Sequence, residues 1–104
     1  MRCQKLFEKG CIGGVEIRNR VAMTAMGNGL ASWDGEVSLE LIRFYEDRAR
    51  GGCGLIFTEF TRMDETSGAC NPNQLCIATR KHIRSTERVR CHGARIFVQL
   101  YHGG

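Results

Sequence analysis

The chain reads as an α/β protein in which parallel strands alternate with helices, and three observations predict it. Short apolar runs stand at Val21–Met26, at Gly54–Phe60 and in the last ten residues, Arg95–Gly104. None shows a polar alternate face, which suits parallel strands covered on both sides. The two earlier runs are each followed by a loop and a helix candidate. Strand, loop, helix, strand is the repeat of α/β sheets and barrels, whose chemistry usually sits on polar residues at the strand carboxyl ends.

The elements follow in order. Leu6-Phe7 leads into a hairpin over Cys11–Ile17, with Gly13-Gly14 free to take positive φ at the turn. Residues Gly27 to Gly35 form a loop in which Asp34-Gly35 is a strong turn signal. Ser38 suits an N-cap, and the helix after it runs to about Arg50. Leu41, Ile42, Phe44, Tyr45 and Ala49 share one face, and Glu40, Arg43, Glu46, Asp47 and Arg50 take the other. Glu46 and Arg50 are in the favourable i,i+4 order, and Gly51-Gly52 stops the helix. Residues 61–79 are a polar connection. A weaker helix begins near Lys81, where Ile83 and Val89 are the only large aliphatic residues, and Gly93 turns the chain into the third strand. No linker divides the chain, so residues 1–104 read as one domain.

Composition bounds the possibilities. The 42% hydrophobic content of these 104 residues is that of a globular chain. A (β/α)₈ barrel needs about 250 residues, so the sequence supplies at most the first three strands of one, with an edge left open to self-association. No apolar stretch approaches the roughly 20 residues of a membrane span, and Met1–Lys5 lacks the apolar core of a secretory signal. The six cysteines contain no C-x-x-C pair, and the Cys70–Cys76 spacing is not a usual zinc spacing. Reduced thiols and a cytoplasmic location are expected. The net charge of +4 is uneven, with Arg80, Lys81, Arg84, Arg88, Arg90 and Arg95 crowded together. Such a cluster can meet the phosphates of a nucleic acid. Without interleaved aromatic residues it reads better as a solvated helix face.

Some residues invite chemistry. Gly51-Gly52-Cys53-Gly54 follows a helix and enters a strand, the reverse of a phosphate loop, so it reads as a helix cap. Gly27-Asn28-Gly29 follows a strand, and its backbone could approach a flat ligand. Gln99 puts a primary amide at the end of a buried strand, where it needs partners. A neighbouring strand or the mixed edge of a flavin or base would serve equally. His102 is a ligand contact or a structural histidine, and His82 and His92 are expected to face water. Glu59, inside an apolar strand, needs a cation such as Arg20 or Arg62, or a place at the strand mouth. Nothing has the spacing of a Ser-His-Asp or Cys-His system, and no catalytic or metal-ligating residue is assigned.

Taken in order, Leu6-Phe7, the hairpin, Asn19-Arg20-Val21, Met23 to Met26, Asp34-Gly35-Glu36-Val37, Arg48-Ala49-Arg50-Gly51-Gly52, Gly54-Leu55-Ile56, Thr58-Glu59 and Ile96 to Gly104 resemble the start of the Old Yellow Enzyme family. These are the FMN-dependent NAD(P)H:flavin oxidoreductases, and the loop from Met26 to Leu30 is similar to the branch of 2,4-dienoyl-CoA and enoate reductases. The resemblance implies the first three β/α units of a TIM (β/α)₈ barrel behind an N-terminal β-hairpin. FMN would lie at the strand carboxyl ends, with Thr24, Ala25, Met26 and Gly27 contacting it largely through backbone. Phe60 would lie where the second strand meets the flavin, and Gln99 would bond the isoalloxazine imide edge. Alanine at position 25 replaces a frequent proline, Gly27 supplies no side chain, and Phe60 stands where small residues are common. In the family the substrate-orienting pair, the proton donor and the phosphate-binding glycines come later in the sequence. The function so implied is hydride transfer from NADH or NADPH through FMN to a small activated alkene, with this chain as the flavin-positioning, amino-terminal segment. The alternatives are a non-catalytic, self-associating barrel remnant and a basic nucleic-acid-binding module over residues 80–95.

Overall fold

The computed structural model describes residues 3–33, 35–63, 74–76 and 82–102, with backbone alone at 82–85. Asp34, Cys70, Arg80, Lys81, Gly103 and Gly104, and the side chains of His82, Ile83 and Arg84, lie outside the described residues. Eight elements follow one another: α1 Gln4–Phe7, β1 Gly10–Ile12, β2 Val15–Ile17, β3 Ala22–Met23, α2 Leu39–Arg50, β4 Leu55–Arg62, α3 His82–Arg90 and β5 Arg95–Tyr101. The single turn α1 is an addition to the sequence reading. β1 and β2 form the expected antiparallel hairpin, with Ile12 opposite Val15. Gly13 alone of the turn glycines takes positive φ, at 58°.

The main sheet has the order β3-β4-β5 and is parallel throughout. β3 is shorter than its apolar run suggests. It pairs only through Ala22↔Leu55 and Met23↔Ile56, and from Thr24 the chain leaves the ladder. β4 is the central strand, and nearly all of it is buried. Its pairing with β5 runs from Leu55↔Arg95 to Phe57↔Phe97 and resumes at Phe60↔Gln99. Three residues of β4 therefore span two of β5, which is a β-bulge at Thr58-Glu59. β5 departs from the sequence reading. It is an edge strand among the described residues, with Val98 39% and Leu100 58% exposed, because nothing described lies beyond it.

The core lies between the sheet and its helices. Leu41, Tyr45 and Ala49 of α2 and Val89 of α3 pack with Ile56, Ala94 and Leu75, with Met23 and Ile96 beside them. Ser38 caps α2 as its position predicts: its Oγ accepts the Leu41 N–H at 3.1 Å and also bonds the Leu30 carbonyl. Gly52, at φ 114°, ends that helix in a conformation that costs other residues more. The Tyr45 hydroxyl crosses from α2 to accept the Glu59 N–H at 2.8 Å.

Two polar devices were not expected from the helix pattern. Glu46, placed on the outer face by its spacing, is 9% exposed. It bonds Arg50 at 3.0 Å and His92 at 3.3 Å, with Arg88 at 3.9 Å, and so draws α3 onto α2. His92 is accordingly half-buried and does not face open water. Arg18, leaving β2, donates to the Ala49 carbonyl at 2.6 Å, to the Cys53 carbonyl at 2.9 Å and to the His92 carbonyl. A cation at the carboxyl ends of α2 and α3 meets the negative ends of both helix dipoles.

Replacing that guanidinium leaves helix-end carbonyls without donors. Arg18→Met, which keeps the apolar stem, is expected to cost about 2–4 kcal/mol, read as a lower urea midpoint with an unchanged slope. Tyr45→Phe strands the buried Glu59 N–H and is expected to cost about 1–3 kcal/mol in the same titration.

Candidate functional site at the strand carboxyl ends

Parallel strands bring their carboxyl ends to one side, and here three ends meet. The chain leaves β3 at Thr24, β4 closes with Phe60–Arg62, and β5 closes with Gln99–Tyr101. Register sets Phe60 directly beside Gln99. The loop after β3 returns over this end, since the Asn28 N–H donates to Glu59 Oε2 at 3.4 Å. The Asn28 Oδ1 accepts the Leu30 N–H at 3.1 Å and closes the loop locally. Thr24, Met26 and Gly27 are exposed there and Ala25 is half-buried.

The bulge decides which side chains share a face. Ile56 and Ile96 belong to the helix-side core, so Phe57 and Phe97, each one residue on, lie on the other face. Their rings meet edge to face at 5.7 Å, and those of Phe60 and Tyr101 do so at 5.2 Å. The extra residue returns Phe60 to the face of Phe57. Gln99, two residues beyond Phe97, joins this aromatic face.

The sequence reading buried the Gln99 amide, and the structure corrects this. Gln99 is exposed on the edge strand, its N–H donates to Thr58 Oγ1 at 3.4 Å, and its side-chain amide has no partner among the described residues. It remains a donor and acceptor pair, open to a ligand. His102, immediately after β5, is exposed. The Phe60 ring lies along the sheet against Tyr101, and its carbonyl accepts the Gln74 Nε2 at 3.0 Å.

Behind the aromatic face sits a polar cluster. Glu59 is 1% exposed at the strand mouth, and neither Arg20 nor Arg62 pairs with it. Arg20 goes to Glu8 at 3.8 Å. Burial pushes the Glu59 carboxyl above its usual range, against backbone N–H bonds from Asn28 and Leu75. Burial likewise pushes the Tyr45 hydroxyl up to about 12, so it stays neutral while accepting the Glu59 N–H. Tyr45, Thr58, Thr61 and Gln74 went unassigned in the sequence. Thr58, Glu59 and Thr61 in an otherwise apolar run were the available signal of a bulge.

These residues fit the ring of a flavin. Its polar edge needs a donor and an acceptor together, which the unengaged Gln99 amide offers, and its flat face suits the aromatic surface alongside. Exposed backbone at Thr24 and Gly27 lies within the same cluster of strand ends. Two of the described arginines near α3 are engaged away from that cluster. Arg88 turns to Glu46, and the Arg95 Nε donates to the Glu16 carbonyl at 3.1 Å. Among the described residues no helix is long and apolar enough to cross a membrane. Cys3, Cys11, Cys53, Cys76 and Cys91 are free thiols.

Known proteins resemble this chain in sequence and in fold. The chain is 42% identical to the NADH oxidase of Thermoanaerobacter brockii over 103 residues, covering 95% of itself and 16% of that protein. It is 37% identical to the cinnamate reductase of Clostridium sporogenes over 108 residues, covering 94% of itself and 16% of the relative. It thus spans about a sixth of the length of these relatives. The Old Yellow Enzyme of Trypanosoma cruzi superposes with a TM-score of 0.82 at 28% identity, over 96% of this chain and 27% of that one. Residues 5–104 match the family model described as the NADH:flavin oxidoreductase / NADH oxidase family, and the chain belongs to that family.

Proposed function

We propose that this chain is the flavin-positioning, amino-terminal portion of an FMN-dependent NAD(P)H oxidoreductase whose substrate is a small, electron-poor alkene. In such a protein the chemistry belongs to the FMN, which takes a hydride from NADH or NADPH and passes it to the β-carbon of the alkene. One relative is named for cinnamate, an alkene conjugated to a carboxylate, which supports that substrate class. The residues of this chain bind and orient. Thr24, Ala25, Met26 and Gly27 line the cofactor through their backbone, Phe60 borders it, and the Gln99 amide pairs with the imide edge of the ring. Residues 1–104 then supply the first three β/α units of a barrel, and free thiols suit a cytoplasmic protein. The observation that carries this reading is the in-register placement of Phe60 beside Gln99, whose amide is unengaged on an aromatic face.

A second reading, of self-association, rests on a separate observation. Among the described residues β5 is an edge strand with Val98 and Leu100 exposed, and such edges recruit further strands. A second copy of this chain paired along β5 would cover it.

Incubation with excess FMN followed by gel filtration is expected to leave a flavin absorbance band on the protein. Gln99→Ala should weaken FMN binding about tenfold by fluorescence titration, the value of lost amide hydrogen bonds. A colourless protein, or equal affinity for both chains, would remove the proposed role. Light scattering should show dimers or larger species that revert to monomers in a Val98→Lys, Leu100→Lys double variant.

A further inference from the structure

Glu59 is the one buried carboxyl at the strand carboxyl ends among the described residues, and flavin positioning as described above makes no use of it. Its surroundings are set by four elements. From the loop after β3 comes the Asn28 N–H, at a long 3.4 Å from Oε2, and the Leu75 N–H faces the carboxyl and favours its charged form. From α2 comes the Tyr45 hydroxyl, which accepts the Glu59 N–H. Within β4, the hydroxyls of Thr58 and Thr61 both bond the Glu59 carbonyl, at 3.1 Å and 2.7 Å. The remaining charged group of β4, Arg62, lies against Gly35, where a Cβ would stand 2.8 Å from its Nη2. Glu46, the other buried acid, bonds His92 and Arg50 at 3.3 Å and 3.0 Å.

No cation therefore faces Glu59 among the described residues, and Oε1 is buried with no partner, as is the Asn28 Nδ2. An ionised carboxylate in that setting is under-bonded on one oxygen and uncompensated in charge. A neutral acid removes the uncompensated charge and with it the larger part of that cost. The geometry points to Glu59 keeping its proton through neutral pH and, as the neutral acid, acting as the positioning residue that fastens the Asn28 loop over the end of β4. Residues Thr24 to Gly27 are held through that fastening. Loss of the proton places an unpaired charge under the loop and loosens it, so hold on the loop weakens as pH rises. The consequence for flavin rests on the proposed function, whereas the protonation state and the loop fastening rest on these contacts alone.

The sign of the linkage follows from the raised folded-state value. Below the ordinary value of 4.5 both folded and unfolded chains hold the proton, and the contribution to stability is complete. Above it the unfolded chain releases its proton first, and the contribution falls until pH passes the folded-state value. Each unit of separation is about tenfold in the folding equilibrium.

The test uses the full chain, Glu59→Gln as the mimic of the neutral acid, and Glu59→Leu as the variant without donor or acceptor. Difference infrared spectra of wild type against Glu59→Gln at pH 7 should show a protonated carboxyl band, and a carboxylate band in its place overturns the proposal. Urea titrations between pH 4.5 and 8 should show wild type losing about tenfold or more in folding equilibrium relative to Glu59→Gln. A constant or rising difference overturns it. Amide exchange at Asn28 should match between wild type and Glu59→Gln at pH 6 and quicken about tenfold or more in Glu59→Leu. Equal exchange in all three overturns the positioning role. Should Glu59→Leu fail to fold, the same comparison is made between wild type at pH 6 and at pH 9, where faster exchange at pH 9, beyond that of Glu59→Gln, is expected and its absence is contrary. None of these readouts needs bound FMN, so failure of the flavin reading leaves them intact. If FMN is retained, wild type should lose affinity between pH 6 and 9 while Glu59→Gln does not.

Discussion

β4 is the strand on which everything else is arranged, because it alone has described neighbours on both edges and cover on most of its length. Such a strand must satisfy backbone groups on both sides, yet this one carries Thr58, Glu59 and Thr61 in its middle. Strict alternation would turn Glu59 to the face of Phe57 and send Phe60 to the face of Ile56. The bulge reverses both assignments after Phe57. It puts a phenyl ring on the open face and a carboxyl behind the loop. Its loosened backbone groups are then accounted for one by one. The Glu59 N–H goes to Tyr45, its carbonyl takes two threonine hydroxyls, and the Gln99 N–H falls to Thr58 Oγ1. A bulge next to a ligand site usually re-aims a side chain, and here it re-aims two.

The two ends of the sheet are held by different physics. At the amino end Arg18 supplies charge-assisted bonds to carbonyls that end two helices, and Gly54 lies so close to the Asn19 carbonyl that a Cβ there would stand 2.9 Å from its oxygen. Cations at helix carboxyl termini are favourable whether or not anything is bound, so that end is closed by the chain itself. At the carboxyl end the loop is tied by a longer bond, from the Asn28 N–H to Glu59 Oε2 at 3.4 Å. Loop positions over a site come from the less stable part of a fold, and the asymmetry along β4 follows that rule.

What the sequence disclosed divides along the same lines. α2 was legible almost to the residue, because Ser38, the apolar stripe and Gly51-Gly52 are local signals that need no partner from elsewhere. The hairpin turn and the alternation of strands with helices were legible for the same reason. Glu46 was misplaced because its partners, Arg88 and His92, come from an element some forty residues later. β5 was read as buried because an apolar strand records its own composition and not whether a neighbour covers it. For Glu59 the sequence demanded a cation or a place at the mouth, and the structure supplies the mouth, with no cation paired to it among the described residues. The site residues 24–27, 60 and 99 came from resemblance. Register then set Phe60 beside Gln99, which no periodicity in the sequence could have done, since the bulge shifts the count by one.

The polarity of this end also bears on which part of a cofactor it suits. Tyr45 is held neutral by burial, Glu59 is disfavoured as an anion, and Gln99, Thr58 and Thr61 are uncharged at any pH the fold would meet. Neutral donors and acceptors recognise a ring edge by pattern, because each bond requires the right partner in the right place. They do little for a phosphate, whose two charges call for cations or a helix amino terminus aimed at the anion. Arg62, which closes β4, is 9% exposed and lies against Gly35 on the side of residues 74–76. Neutral groups of this kind suit an uncharged ring edge, whereas a charged group calls for partners of a different kind.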